Sequence, residues 1–347
     1  MDDGAAPLRA LVLTDGVAGH DRINLGVLAA LGRLARVEAR WLGVRETGSR
    51  SRGFDRIAGR FAPFERFFHA RYDIEDAEAD RLGPAEGARF DVVVSAGPST
   101  GAANIALARH AGGRSIFFGF PKLPLVPEFD VLLRPDRPAV RLGRGVTVLR
   151  PSEIDPDALP RPRRGGEART MAALIGGDTK HYAFTAKDFA LLAEGLRRAG
   201  ARGVTVTAFN SRRTPAAHFD AFVAAFAPDG VTRRVVDFRR EGFRSNLQAY
   251  AADVVVATAD SMSMIAEALA ARRPTLMARP AGYRPPARDV AELAEHVQAG
   301  VAAFVGFDEF AFDHWLDRAA ELRELPYHPL ARLAEAVRPA IRRAGAR

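Results

Sequence analysis

The chain has 347 residues and a net charge of +8, with 48% hydrophobic and 27% charged side chains, an ordinary globular composition at a length that suits two domains. It holds no cysteine, which excludes disulfides, thiolate metal sites and a cysteine nucleophile and fits a cytoplasmic setting. The positive charge is nearly all arginine, since lysine occurs only at Lys122, Lys180 and Lys187; the arginines are scattered, so no nucleic-acid partner is expected.

No run approaches the roughly 20 apolar residues of a membrane-spanning helix, and residues 1–9 carry no apolar leader. From there the chain alternates short apolar strands with alanine- and leucine-rich helices, the pattern of a parallel α/β sheet. The run 8–13 predicts a strand, broken at Asp15-Gly16, with a helix over 21–34 and a second strand over 37–42. The segment 49–72 carries six arginines against two acids. Phe64, Phe67 and Phe68 in it either face an anionic membrane or fill a core, and both readings stay open. Strands follow over 90–94, 115–118 and 131–133, with a helix over 100–110 between the first two.

Residues 150–168 hold Pro151, Pro156, Pro160 and Pro162 among arginines and paired glycines, and 151–169 reads as a solvated linker. Asp155-Pro-Asp157 lies inside it with no strand before it, so no metal site is expected there. The pattern then restarts: strands over 170–175, 203–209 and 253–256, helices over 186–199, 216–225 and 261–271, and 275–278 as the strand that closes the sheet. The expected domains are 1–150 and 170–309. The helical tail 310–347 is free to cross back to the first. One echo suggests like halves: Asp91-Val-Val-Val-Ser-Ala-Gly-Pro-Ser99 parallels Asp253-Val-Val-Val-Ala-Thr-Ala-Asp-Ser261.

The chemistry-bearing residues gather where strands end. Asp260, Ser261 and Ser263 stand at a helix start, where unpaired first-turn N–H groups and the helix dipole favour an anion, and Glu267 lies farther along that helix. Gly176 and Gly177 end another strand and let backbone approach a ligand, with Lys180 nearby as a counter-charge. Ser211, Arg212 and Arg213 follow a third strand. In the first half Asp15, Gly16, Gly19 and His20 form the loop after the first strand, with a base available to take a proton. Ser95 and Gly97 should lie beside that loop if their strands are neighbours.

Four segments together resemble the mitochondrial-fission family named for the plant "elongated mitochondria" protein, which has many bacterial members. They are TDGVAGH at 14–20, SAG at 95–97, LIGGDTKHY at 174–182 with SRRTP at 211–215, and ATADSMSMIAEAL at 257–269. The family is similar to GT-B glycosyltransferases, and the block 253–274 resembles the donor segment of the peptidoglycan N-acetylglucosaminyltransferases that act on a lipid acceptor. The resemblance implies two Rossmann-like α/β domains facing across a cleft. It implies a nucleotide-sugar substrate held by Gly176, Gly177, Lys180, Ser211, Arg212, Arg213, Asp260, Ser261, Ser263 and Glu267, with Glu267 on the ribose. Asp15 or His20 would deprotonate a lipid-linked or other envelope acceptor, with Gly16, Gly19, Ser95 and Gly97 on the acceptor side. Neither cofactor nor metal is expected, and the setting is the cytoplasm or the inner face of the membrane. Two rivals accompany this reading: a recruitment protein without catalysis, which the plant member suggests, and a nucleotide-sugar epimerase.

Overall fold

The computed structural model describes residues 6–46, 72–74, 89–121, 123–135, 145–180, 182–242, 245–307 and 315–342. Contacts divide the chain into two units, Met1–Ile154 with His328–Arg347, and Asp155–Tyr327.

The first unit carries strands β1 (Leu8–Thr14), β2 (Val37–Glu46), β3 (Tyr72–Ile74), β4 (Val92–Ala96), β5 (Arg114–Phe118), β6 (Val131–Arg134) and β7 (Val146–Thr147), with helices α1 (Ala18–Gly32) and α2 (Gly101–Ala111). They form one sheet in the order β3-β2-β1-β4-β5-β6-β7. Every pair is parallel except β2 with β3. Alternation along each strand sends neighbouring residues to opposite faces. Leu11, Leu13 and Val93 pack on one side with Ala102, Ala103 and Ile105 of α2. Ala10, Val92 and Val94 pack on the other with Ile23 and Val27 of α1. Both faces are therefore covered, which is why these strands read as unbroken apolar runs.

The second unit repeats the plan. Its strands are β8 (Thr170–Leu174), β9 (Thr205–Phe209), β10 (Arg233–Val236), β11 (Val254–Thr258), β12 (Thr275–Arg279) and β13 (Ala302–Gly306). Its helices are α3 (Ala186–Ala201), α4 (Ala216–Phe226), α5 (Phe238–Glu241), α6 (Met262–Ala270), α7 (Ala287–Gln298) and α8 (Trp315–Glu321). The order is β10-β9-β8-β11-β12-β13, all parallel. Thr185 and Asp188 start α3 with a capping box, and Phe219, Phe222 and Phe226 stack along one side of α4. In each sheet the strand order reverses once, at β1/β4 and at β8/β11. Those are the switch points outside whose carboxyl ends ligands bind in open α/β sheets.

The matching strings at 91–99 and 253–261 fall on β4 and β11, which hold the same place in the two sheets. Their leading aspartates do the same work. Asp91 accepts the backbone N–H of Arg9 at 2.8 Å as β1 begins. Asp253 accepts those of Arg169 and Thr170, at 2.9 and 3.0 Å, as β8 begins. Burial raises the Asp253 carboxyl, but these N–H bonds and that from Arg163 outweigh it and hold the group below its ordinary value.

One expectation is corrected and two are refined. The sheet does not close at β12, because β13 pairs beyond it and β10 adds the opposite edge; Ala302–Gly306 is only partly buried and Arg233–Val236 opens on two arginines, so neither has the signature of a buried strand. The segment 151–169 is irregular and largely exposed, as expected, but it is tied down at several points. Ser152 and Ile154 are buried, Asp253 holds the Arg163 N–H at 2.8 Å, and Arg273 donates to the Pro160 carbonyl at 2.7 Å. Its prolines set the backbone while partners elsewhere in the sequence bind it. The tail divides: α8 stays in the second unit, whereas α9 (Pro329–Arg342) belongs to the first, burying Leu333 and Val337 with Ile23 and Val27. Among the described residues no helix is long and apolar enough to cross a membrane.

Candidate functional site

In the first unit the loop after β1 runs Asp15-Gly16-Val17 into α1. Gly16 takes φ +75°, a left-handed turn that glycine tolerates, and its N–H is held by the Thr14 hydroxyl at 3.0 Å. The turn brings the Asp15 carboxylate to His20 Nδ1, at 3.0 and 3.1 Å. From the neighbouring β4 loop the Ser99 hydroxyl donates to the other side of the same carboxylate. Gly97, at φ +92°, is where the His20 ring fits: a Cβ there would lie 2.4 Å from Nδ1. Asp15 is nearly closed off at 11% side-chain exposure, while His20 keeps 27%. Burial raises the Asp15 carboxyl, but hydrogen bonds from His20 and Ser99 outweigh it, and the group sits below its ordinary value. An ionised Asp15 fixes the proton on Nδ1 and turns Nε2 into the basic nitrogen.

Gly19 lies in the first turn of α1. Ser95 is beside Leu13 in register but is 1% exposed, and its hydroxyl accepts from Asn104 Nδ2 at 2.9 Å. The same Asn104 amide reaches the Val93 and Ile116 carbonyls. Ser95 thus supports the site from within the core rather than meeting an acceptor; strand register alone does not tell which face a side chain takes.

In the second unit three loops meet at the ends of β8, β9 and β11. The Gly176 N–H bonds the Thr258 hydroxyl at 2.7 Å, and the Gly177 N–H bonds Asp260 Oδ2 at 3.1 Å. Both glycines are needed for fit: a Cβ on Gly176 would stand 2.2 Å from Asp260 Oδ2, and one on Gly177 2.0 Å from the Arg213 carbonyl oxygen. Thr214 donates to the Ile175 carbonyl at 3.0 Å and also contacts that of Gly176, and it accepts the Ser211 N–H at 2.9 Å. Arg213 Nη2 pairs with Asp260 at 2.9 Å. The Asp260 side chain is wholly buried. Burial pushes its carboxyl above the ordinary value against the pull of Arg213. Tyr283 closes the floor, donating to the Ala259 carbonyl at 3.0 Å; burial, with Asp260 nearby, raises its hydroxyl to about 12.

Helix α6 then starts with Ser261 at its N-cap, and no side chain caps its first turn. Ser263 lies partly exposed in that turn, and Arg212 and Lys180 are exposed on their loops. Glu267 differs from the expectation of a carboxylate open to a ribose. It is 6% exposed and takes the hydroxyl of Tyr250, a side chain itself buried at 1%. An acid in the second turn of a helix packed on a sheet points inward, which residue counting from the turn did not register. Phe64, Phe67 and Phe68 lie outside the described residues. Thr258, Tyr283 and Ser99 were not singled out from sequence. Ser99 alone left a signal there, since it matches Ser261 in the paired strings.

The sequence comparison covers three of the four motif segments whole and the end of the first. A model of the family described as "Mitochondrial fission ELM1" matches residues 18–341. This chain belongs to that family. Among curated proteins none matches the sequence. Among solved structures, MurG of Acinetobacter baumannii superposes with a TM-score of 0.55 at 13% identity, covering 96% of this chain and 99% of its own. A UDP-GlcNAc 2-epimerase from Neisseria meningitidis, bound to UDP-GlcNAc, gives 0.54 at 12%, over 97% and 100%. Staphylococcus aureus MnaA with UDP gives 0.53 at 11%, over 94% of each chain. At such identity the likeness is one of fold, and the ELM1-family chain has the GT-B type of two Rossmann-like α/β domains.

Proposed function

We propose that this ELM1-family protein is a metal-independent glycosyltransferase that moves a sugar from a nucleotide-sugar to a hydroxyl of a cell-envelope acceptor. The observation that carries the reading is the Asp15–His20 pair at the β1/β4 switch point, held at 3.0 Å with Ser99 behind it. A carboxylate on Nδ1 of a part-exposed imidazole is the arrangement of a general base. His20 Nε2 takes the proton of the acceptor hydroxyl. The oxygen then bonds the anomeric carbon as the bond from that carbon to the diphosphate oxygen breaks, and the electron pair leaves with the nucleoside diphosphate. Arg212, Arg213, Lys180 and the uncapped first turn of α6 supply positive charge for that leaving group. The bound nucleotides named for the epimerase and MnaA structures support a nucleotide site on this fold.

The test is calorimetry with UDP and UDP-GlcNAc, followed by turnover assays with lipid-linked acceptors. Binding of a nucleoside diphosphate and transfer of the sugar by wild type, with binding kept and transfer lost in His20→Ala, is the expected result. Nucleotide binding with a sugar epimer as sole product would favour the epimerase reading. Absence of nucleotide binding would leave recruitment as the better account.

A further inference from the structure

The acid at the β8/β11 switch point is placed where an anionic ligand would be expected. Asp260 Oδ2 lies 3.1 Å from the Gly177 N–H and 2.9 Å from Arg213 Nη2. One donor comes from the β8 loop and the other from the β9 loop, so the carboxylate joins three strand ends. Both donors are of the kind that binds phosphoryl oxygens: a backbone amide within paired glycines, and a guanidinium. Arg213 remains 36% exposed while Asp260 is at 0%, so the guanidinium is reachable from solvent and its present partner is not. The fit of the acid is tight, since Gly176 has room for it only without a Cβ. Its other oxygen, Oδ1, is buried with no hydrogen-bond partner, an unfavourable state for a carboxylate. Asp260 is thus held by Gly177 and Arg213 from the neighbouring loops, with Thr258 and its own backbone N–H as further local donors.

We propose that Asp260 is an internal anion occupying a phosphoryl subsite, and that a phosphate-bearing ligand binds by taking the Gly177 amide and Arg213 from it. The inference rests on the nucleotide-binding reading above, and gives Asp260 a role opposite to that of a residue holding the ligand. A carboxylate beside a phosphoryl group repels it. Two shared donors cannot serve both anions fully. The subsite therefore selects for an anion of higher charge than a carboxylate, and neutral sugars find no entry there.

The sign of one substitution decides the matter. Inorganic pyrophosphate is the probe, titrated calorimetrically into the full chain. Asp260→Asn keeps the shape, removes the competing charge and should bind pyrophosphate roughly tenfold more tightly than wild type. Arg213→Gln should bind it roughly tenfold more weakly. Unchanged or weaker binding in Asp260→Asn, or no binding in any form, overturns the proposal. If Asp260→Asn does not fold, wild-type protein labelled with 15N-glycine gives the answer. The Gly177 amide resonance must shift on adding pyrophosphate, and a resonance that stays put overturns the subsite. UDP in parallel separates the two claims. Tighter pyrophosphate binding without any UDP binding defeats the proposed function alone. UDP binding that Asp260→Asn leaves unchanged or weakens, with pyrophosphate following suit, defeats this inference alone.

Discussion

The two halves place an aspartate at the same topological point and use it in opposite ways. In the first, Asp15 comes from the loop after β1 and is held by Ser99 from the loop after β4. In the second, Asp260 comes from the loop after β11 and is held by Gly177 from the loop after β8. Donor and acceptor have changed sides of the switch. Their surroundings differ accordingly. Asp15 keeps a part-exposed imidazole beside it and stays below its ordinary pKa, whereas Asp260 is sealed in and raised despite Arg213. The scaffold repeats, down to the aspartates that start β4 and β11, but the chemistry does not. On the functional reading proposed above, one acid orients a base and the other stands in the way of an anion.

The sharpest way to break this contrast is His20→Ala. If the first half supplies the base, turnover should fall by roughly a hundredfold or more, with nucleotide affinity unchanged. Single-turnover assays beside calorimetry distinguish the two quantities. Full activity in the folded variant would remove His20 from the reaction.

The glycines come next, because their neighbours differ. A methyl on Gly97 meets the His20 ring, while a methyl on Gly177 meets the backbone of Arg213. Gly97→Ala also strains a positive φ. It should displace the imidazole and depress turnover at least as much as it lowers stability. Gly177→Ala must force the loops after β8 and β9 apart, and overpacking of that kind costs about 1–3 kcal/mol. It should lower the melting temperature and weaken nucleotide binding together. Equal effects of both variants on turnover alone would mean that the halves are not specialised as described.

Much of this arrangement was legible in the sequence. The valine-rich runs of β4 and β11 are buried on both faces and announce a parallel sheet, and glycines with polar residues after them mark strand ends. The family resemblance at 14–20 and 257–269 pointed to the same loops. What could not be read was direction. Glu267 is two helical turns from a polar loop, and only the packing of α6 on its sheet turns it toward Tyr250. Ser95 alternates into the core for the same reason. The β13 edge escaped because five small and apolar residues carry no periodicity of their own, and the docking of the segment 151–169 escaped because its partners lie far away in sequence, Asp253 about ninety positions from Arg163 and Arg273 more than a hundred from Pro160.

Glu267 gives a smaller effect of a kind the first half does not show. Glu267→Ala removes the carboxylate that takes the buried Tyr250 hydroxyl, which costs about 1–3 kcal/mol and should lower the melting temperature by several degrees. Restoration of stability in Glu267→Ala combined with Tyr250→Phe would identify the lost Tyr250–Glu267 bond as the cause. A single variant as stable as wild type would mean that the pair contributes nothing, and would reopen the ribose role.

The subtlest contrast is in the pH dependence of stability, where the two aspartates should have opposite signs. Asp15 has a folded pKa below the ordinary 3.8. The unfolded chain therefore binds its proton first as pH falls, so the stability Asp15 contributes is present above about pH 4 and is lost as pH drops through the depressed folded value. Asp260 has a folded pKa above 3.8. Here the folded chain binds the proton first, and the cost of burying the charge is relieved as pH falls through that raised value. Each unit holds one tryptophan, Trp41 on β2 and Trp315 on α8, so denaturant curves can be followed for each half once the other tryptophan is replaced by phenylalanine. Asp15→Asn should flatten the acid loss seen through Trp41. Asp260→Asn should raise stability at neutral pH seen through Trp315, with the gain over wild type shrinking as pH is lowered. Parallel pH slopes for the two substitutions would show that burial does not separate the acids, and the assignment of opposite roles to them would fail.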